Sequence, residues 1–198
     1  MRESRNDRTR HDNLVQRIEP AATWADMEVG EHQLGVLRQL AASAADISQA
    51  SDDWKSEIKS LPDRGITALF TGPSGSAKTM AAEVLARDLH LELYRIDLTR
   101  VVSKYIGETE KILSRTFTEA AASRAILSFD QADALFGKRS AVKDSHDRYA
   151  NIEMTYFLQR LERHRGLVII GTKAPPERPP AVPPRIAFTV EFSLPHAD

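Results

Sequence analysis

Residues 69–79, which read LFTGPSGSAKT, constrain this chain most, because they have the spacing of a phosphate-binding loop. That pattern is Gly, four residues, Gly, Lys and then Ser or Thr, set between a strand and a helix. Here Gly72 opens the pattern and Lys78 with Thr79 closes it, whereas Ala77 occupies the position of the second Gly. The alternative reading is an ordinary Gly-rich turn between a strand and a helix.

The residues on either side favour phosphate binding. Residues 66–70 form a short apolar run that predicts a buried parallel strand, and residues 80–89 are rich in Ala and Leu and predict a helix. At such a junction the backbone N–H groups point at phosphate oxygens, Lys78 would contact the phosphates, and Thr79 would offer its hydroxyl to Mg²⁺. If position 77 needs a positive φ, alanine there costs about 1–2 kcal/mol. The predicted nucleotide-binding residues are Gly72, Pro73, Ser74, Gly75, Ser76, Ala77, Lys78 and Thr79.

Apolar strands alternate with helices along most of the chain. The pattern predicts strands at residues 66–70, 91–97, 125–130, 167–171 and 188–192, with helices between them. This alternation indicates a three-layer α/β domain with a mainly parallel five-stranded sheet. Ligands of such sheets bind at the carboxyl ends of the strands, where Asp130, Gln131 and Lys173 also fall.

Composition narrows the function classes. The net charge is −1 in 198 residues, so no nucleic-acid partner is expected, and no apolar run approaches the roughly 20 residues that cross a bilayer, so no membrane is expected either. The chain has no Cys, which fits a cytoplasmic location. Residues 1–23 are predicted to be a disordered basic tail, and residues 24–198 a single domain.

Three motifs follow one another in a fixed order: GPSGSAKT at 72–79, SKYIGETEK at 103–111 and AILSFDQADALFGKR at 125–139. Together they resemble the large nucleotide-binding subdomain of the AAA+ ATPase family, over residues 24–198. The resemblance implies a P-loop NTPase fold that binds ATP and Mg²⁺, with Asp130 in the Mg²⁺-associated position of Walker B. It also implies a homo- or hetero-oligomeric ring acting on a polypeptide, which Tyr105, Ile106 and Gly107 would grip as the pore-loop tip.

The departures from the family pattern fall on its chemistry. Gln131 replaces the Glu that acts as general base, Lys173 replaces the sensor-1 Asn, and one Arg of the finger pair is replaced, leaving Arg185 beside Pro184. A Gln amide orients water but cannot accept its proton. The chain ends after the last predicted strand, so we also expect the C-terminal helical lid of the family to be absent.

We therefore predict an ATP-binding ATPase module with impaired hydrolysis, in which Gln131, Lys173 and Arg185 occupy the catalytic positions. Two alternatives stay open: a non-hydrolysing pseudo-ATPase that serves as a binding or structural partner, and a truncated inactive copy. Four further arginines, at positions 124, 160, 163 and 165, are expected to be solvated charges at helix ends.

Overall fold

A computed structural model of the protein describes residues 14–52, 65–101, 107–133, 145–174 and 185–194. The strands are β1 (Val15–Ile18), β2 (Ile66–Thr71), β3 (Leu93–Asp97), β4 (Ile126–Asp130), β5 (Leu167–Thr172) and β6 (Ile186–Glu191). The helices are α1 (Glu31–Asp52), α2 (Lys78–Asp88), α3 (Leu98–Val101), α4 (Glu108–Ser123) and α5 (Ser145–Arg163), with a 3₁₀ turn at Trp24–Asp26. Of the helices in these ranges, none is long and apolar enough to cross a membrane.

The strands form one sheet in the order β1-β3-β4-β5-β2-β6. Every neighbouring pair from β3 to β6 is parallel, which confirms the predicted five-stranded parallel sheet. The sixth strand, β1, pairs antiparallel with β3 at the edge. It comes from the segment predicted to be a disordered tail, so that prediction is wrong for Val15–Ile18, where the buried Val15 pairs with Ile96. Residues 1–13 lie outside the described residues.

Helices cover both faces of the sheet and give it three layers. Leu37 and Leu40 of α1 pack with Leu85 of α2 on one face, in the same apolar cluster as Phe70 of β2. The other face carries α4 and α5, in whose cluster the ring centroids of Phe129 and Phe157 lie 4.9 Å apart. All six residues of β2 and of β5 are buried, as expected for central parallel strands covered on both sides.

Strand register brings the predicted site residues to one edge. Thr71 at the end of β2 pairs with Thr172 at the end of β5, and Asp97 at the end of β3 pairs with Asp130 at the end of β4. The carboxyl ends of four strands therefore lie level, and the segments that follow them open on the same side of the sheet. We call this side the carboxyl edge and the opposite side the amino edge.

Candidate functional site

The loop at residues 72–79 leaves β2 through two glycines with positive φ. Gly72 has φ +146°, and a Cβ there would lie 2.2 Å from the backbone oxygen of Phe192, just after β6. Gly75 has φ +83°, with open space where a Cβ would be. Ala77 has φ −67°, so it avoids the left-handed region and the cost considered for alanine at this position does not arise. The substitution at position 77 is therefore compatible with the backbone of the loop.

Lys78, the first residue of α2, turns its ammonium group back over the loop. Its Nζ donates to the Gly72 oxygen at 2.5 Å, the Pro73 oxygen at 2.7 Å and the Ser76 Oγ at 3.0 Å. Burial lowers the pKa of Lys78, against the opposing effect of the nearby carboxylates of Asp130 and Asp133. An ammonium group has three donors, so this one is saturated by the loop, and a phosphate would have to replace some of these acceptors.

The start of α2 suits an anion. The helix has 11 residues, and Ala77 at its N-cap supplies no side-chain hydrogen bond, so the positive end of the helix dipole is not neutralised by an acidic cap. Within the loop, the Ser76 N–H donates to the Pro73 oxygen at 3.3 Å and the Lys78 N–H to the Ser76 oxygen at 2.8 Å. Thr79 is half-buried in the first turn of the helix.

Asp130 at the end of β4 is held by an arginine from the neighbouring strand. Arg95 Nε of β3 lies 2.6 Å from Asp130 Oδ2, and the side chains of these residues are 39% and 17% exposed. Arg95 is the site residue that sequence analysis missed. The sequence carries no signal for it, because the contact depends on the parallel register, which sets Asp97 level with Asp130 and brings a residue on the same face of β3 close to that carboxylate.

Gln131 is hydrogen-bonded to the end of β3. Its backbone is left-handed, with φ +56°, and its Nε2 donates to Asp97 Oδ2 at 3.2 Å. The other oxygen of Asp97 accepts hydrogen bonds from the Thr99 N–H at 2.9 Å and the Thr99 hydroxyl at 2.6 Å, at the start of α3. If position 131 were Glu in this conformation, its carboxylate would face that of Asp97, and Asp97 Oδ2 would lose its donor.

Asp133 fixes the end of β5. Both of its oxygens accept the Lys173 N–H, at 3.1 and 3.0 Å, and the Ala132 N–H donates to the Gly171 oxygen at 2.9 Å. The side chain of Lys173 is exposed at this edge. Below it, the hydroxyls of Thr71 and Thr172 are buried without a hydrogen-bond partner among the described residues.

The structure thus collects the loop, Asp130, Gln131 and Lys173 at the carboxyl edge. Arg185 is not among them, because it precedes β6, whose first residue Ile186 pairs with Thr67 near the start of β2. It therefore lies at the amino edge and is exposed. Tyr105 and Ile106 lie outside the described residues, while Gly107 has φ +79° and directly precedes α4.

The residues present fit a nucleotide with Mg²⁺. The helix start and Lys78 favour phosphate, and the carboxylate of Asp130 and the hydroxyl of Thr79 are hard oxygen ligands of the kind that Mg²⁺ takes. The pairing of Asp130 with Arg95 adds one condition, since Arg95 must release the carboxylate before a cation can occupy the same oxygen.

Comparisons with known proteins agree with this geometry. The family model described as "ATPase family associated with various cellular activities (AAA)" matches residues 68–194. The chain is 29% identical over 190 residues to the uncharacterized AAA family ATPase y4kL of Sinorhizobium fredii, covering 93% of this chain and 54% of that protein. It is 33% identical over 138 residues to Fidgetin-like protein 1 of Drosophila melanogaster, covering 68% of this chain and 26% of that protein.

Among solved structures, the AAA domain of FIGL-1 in complex with ADP superposes with a TM-score of 0.71 at 20% identity. The superposition covers 98% of this chain and 63% of that one. At this identity the likeness establishes the fold. The chain therefore spans between a quarter and about two thirds of the length of these three proteins.

Proposed function

Because this chain belongs to the AAA family of ATPases, we propose that it binds ATP with Mg²⁺ at residues 72–79 and hydrolyses it poorly. The observation that carries the proposal is the loop, in which positive φ at Gly72 and Gly75 accompanies an ammonium group held over the loop at the start of α2. Lys78 would contact the phosphates, and Thr79 with Asp130 would hold Mg²⁺. When bound, Mg²⁺ neutralises negative charge on the phosphates.

Impaired hydrolysis follows from the groups around the loop. The Gln131 amide has no basic oxygen with which to take a proton from water, and it is hydrogen-bonded to Asp97. Lys173 offers a point charge where an amide would orient water. The chain would therefore retain nucleotide for longer than a hydrolysing relative does.

Nucleotide binding is tested by titrating a fluorescent ATP analogue with and without Mg²⁺. We expect Lys78→Ala to weaken binding by at least about tenfold, because it removes the ammonium group from the loop. The matched control is Lys111→Ala, which removes the same charge from an exposed position on α4 and leaves the affinity unchanged. Equal affinity of the wild type and Lys78→Ala would overturn the proposal.

Hydrolysis is measured separately, as phosphate release from Mg-ATP over a range of protein concentrations. We expect slow release that Lys78→Ala abolishes and Lys111→Ala leaves intact. No release that depends on Lys78, at any protein concentration, would contradict hydrolysis by this chain and would leave the nucleotide-binding claim to the titration.

Members of this family commonly form oligomeric rings that act on polypeptides. We extend this to the present chain from two features: the SKYIGETEK motif with Tyr105 and Ile106, and Arg185, which is exposed at the opposite edge from this chain's own loop. Sedimentation with and without ATP tests the ring. A monomer at every concentration and nucleotide state would count against it.

A second candidate function is that of a pseudo-ATPase serving as a binding or structural partner. It is favoured by the internal pairing of the site, since Arg95 holds Asp130 and Asp97 holds Gln131. Under this reading the chain does not hydrolyse ATP. The two candidates separate in the phosphate-release measurement, because slow release that depends on Lys78 supports the first and the absence of such release supports the second.

A further inference from the structure

A cavity of about 520 Å³ lies at the amino edge of the sheet, opposite the loop at residues 72–79. Its walls come from the first residues of β2 and β5, the last turns of α4 and α5, and Ala44 of α1. No residue of the loop lines it. The volume falls in the range of small-molecule sites, roughly 300–1,000 Å³.

One wall of the cavity is apolar. Ile66, Phe117 and Leu167 contribute buried side chains, and the partly buried Leu91 also lines the cavity. Phe117 belongs to the apolar cluster on one face of the sheet and Ile66 to the cluster on the other, so the cavity opens where the two faces meet. This wall suits the hydrocarbon part of a ligand.

The other wall is basic. Arg124, Arg160, Arg163 and Arg165 all line the cavity, and among its described lining residues no side chain is acidic. Arg160 is not the solvated helix-end charge that the sequence predicts: it donates to the Ser114 oxygen at 2.9 Å and to the Ser114 Oγ at 2.7 Å. A guanidinium group matches the geometry of a carboxylate and keeps its charge at all physiological pH values.

Two buried polar atoms of this basic wall have no hydrogen-bond partner among the described residues. They are Nε2 of His164 and Nε of Arg160. His164 is only 7% exposed, its ring meets Phe117 edge-on at 5.5 Å, and a Cβ at Gly166 would lie 2.6 Å from Nε2. Buried polar atoms without partners are rare in folded proteins, and surrounding protein atoms close these two off from the cavity.

We propose that this cavity binds a small organic carboxylate with an apolar body. The carboxylate would lie against the arginines, and the apolar body against Ile66 and Phe117. Burial lowers the pKa of His164 to about 4, so its imidazole is neutral at pH 7 and adds no charge to the cavity lining. The proposal does not depend on nucleotide binding, because the two sites lie at opposite edges of the sheet.

Octanoate is the probe, with 1-octanol as its uncharged counterpart, each titrated into the full chain at pH 7. Calorimetry gives the affinity, and the imidazole nitrogen resonances of His164 report whether the probe reaches this cavity. We expect saturable binding of octanoate, at least about tenfold tighter than that of octanol, with a shift of the His164 Nε2 resonance. No saturable binding, or equal binding of the two probes, overturns the proposal.

Charge reversal at the rim provides the variant. Arg163→Glu alters an exposed lining residue, so the fold should survive, and we expect it to weaken octanoate binding about tenfold. Arg100→Glu makes the same charge change on α3, at the carboxyl edge, and should leave octanoate binding unchanged. An equal loss in both variants would reveal a nonspecific charge effect and overturn the proposal. Lys78→Ala should retain octanoate binding, which separates this test from that of the nucleotide site.

Discussion

The polar side chains at the two edges of the sheet differ in their charge and in their pairing. At the carboxyl edge Lys78, Asp130 and Gln131 each have a partner from the same chain, whereas the hydroxyls of Thr71 and Thr172 are buried without one among the described residues. At the amino edge four arginines line the cavity, and the buried Nε of Arg160 and Nε2 of His164 also lack a partner among the described residues. A phosphate that binds Lys78 must displace existing hydrogen bonds, which lowers its net gain at the carboxyl edge.

The largest effect is expected at Gly72, where the carboxyl edge depends on a close backbone approach. Gly72→Ala would place a Cβ 2.2 Å from the Phe192 oxygen at φ +146°, so we expect a loss of about 3 kcal/mol in the free energy of unfolding, measured with urea. The matched control is Gly75→Ala, where the space is open and only the left-handed backbone is unfavourable, at about 1 kcal/mol. Equal losses would mean that the contact with β6 does not constrain the loop.

The unpartnered His164 makes the amino edge sensitive to pH. Its pKa falls from 6.5 to about 4 on folding, so between these values the unfolded chain binds a proton that the folded chain does not. The stability contributed by the neutral imidazole is therefore fully present above pH 6.5. Below that pH the free energy of unfolding falls by about 1.4 kcal/mol per pH unit, and the total loss reaches about 3 kcal/mol at pH 4. Urea unfolding of His164→Gln should lose this part of the slope, whereas His32→Gln, at an exposed position, should keep it.

The ion pair between Arg95 and Asp130 competes with Mg²⁺ for the Asp130 carboxylate. Arg95→Gln removes the charge that pairs with Asp130, so we expect the Mg²⁺ concentration that supports binding of the fluorescent ATP analogue to fall about tenfold. Arg100→Gln removes an equal charge from α3 at the same edge and should leave the Mg²⁺ dependence unchanged. If Arg95→Gln needs as much Mg²⁺ as the wild type, or more, to bind the analogue, the ion pair between Arg95 and Asp130 is no barrier to the cation.

Sequence reasoning reached the carboxyl edge and missed the amino edge for a physical reason. Strand ends and a loop motif are local, so the positions of Lys78, Asp130 and Lys173 could be predicted once the sheet was taken as parallel. The partner of Asp130 could not, because it requires knowing that β3 and β4 are neighbours. The cavity was still harder to predict, because its lining residues are far apart in the sequence. They come from α1, α4, α5 and the starts of β2 and β5, a few from each.

Backbone dihedral angles and the strand β1 also could not be predicted from the sequence. The cost considered for Ala77 depended on a positive φ, whereas Ala77 has φ −67° and Gln131 is the described non-Gly residue of the site with a positive φ. Strand β1 was missed because its four residues carry Gln16 and Arg17 between two apolar positions within a polar segment. In each case the outcome depends on what the neighbouring strand supplies, which no window of the sequence contains.

The smallest expected effect concerns Gln131, which stands where the family pattern has Glu. Gln131→Glu replaces a donor to Asp97 Oδ2, 3.2 Å away, with a second carboxylate. Because position 131 is exposed, we expect screened repulsion of only about 0.5 kcal/mol in the free energy of unfolding at pH 7. The repulsion should turn the new carboxylate away from Asp97, and Asp97→Asn in the same chain should remove it, since an amide can again donate to position 131. A double-mutant cycle measured by urea unfolding at pH 7 gives the coupling, and additive single effects would mean that Asp97 does not govern the side chain at position 131.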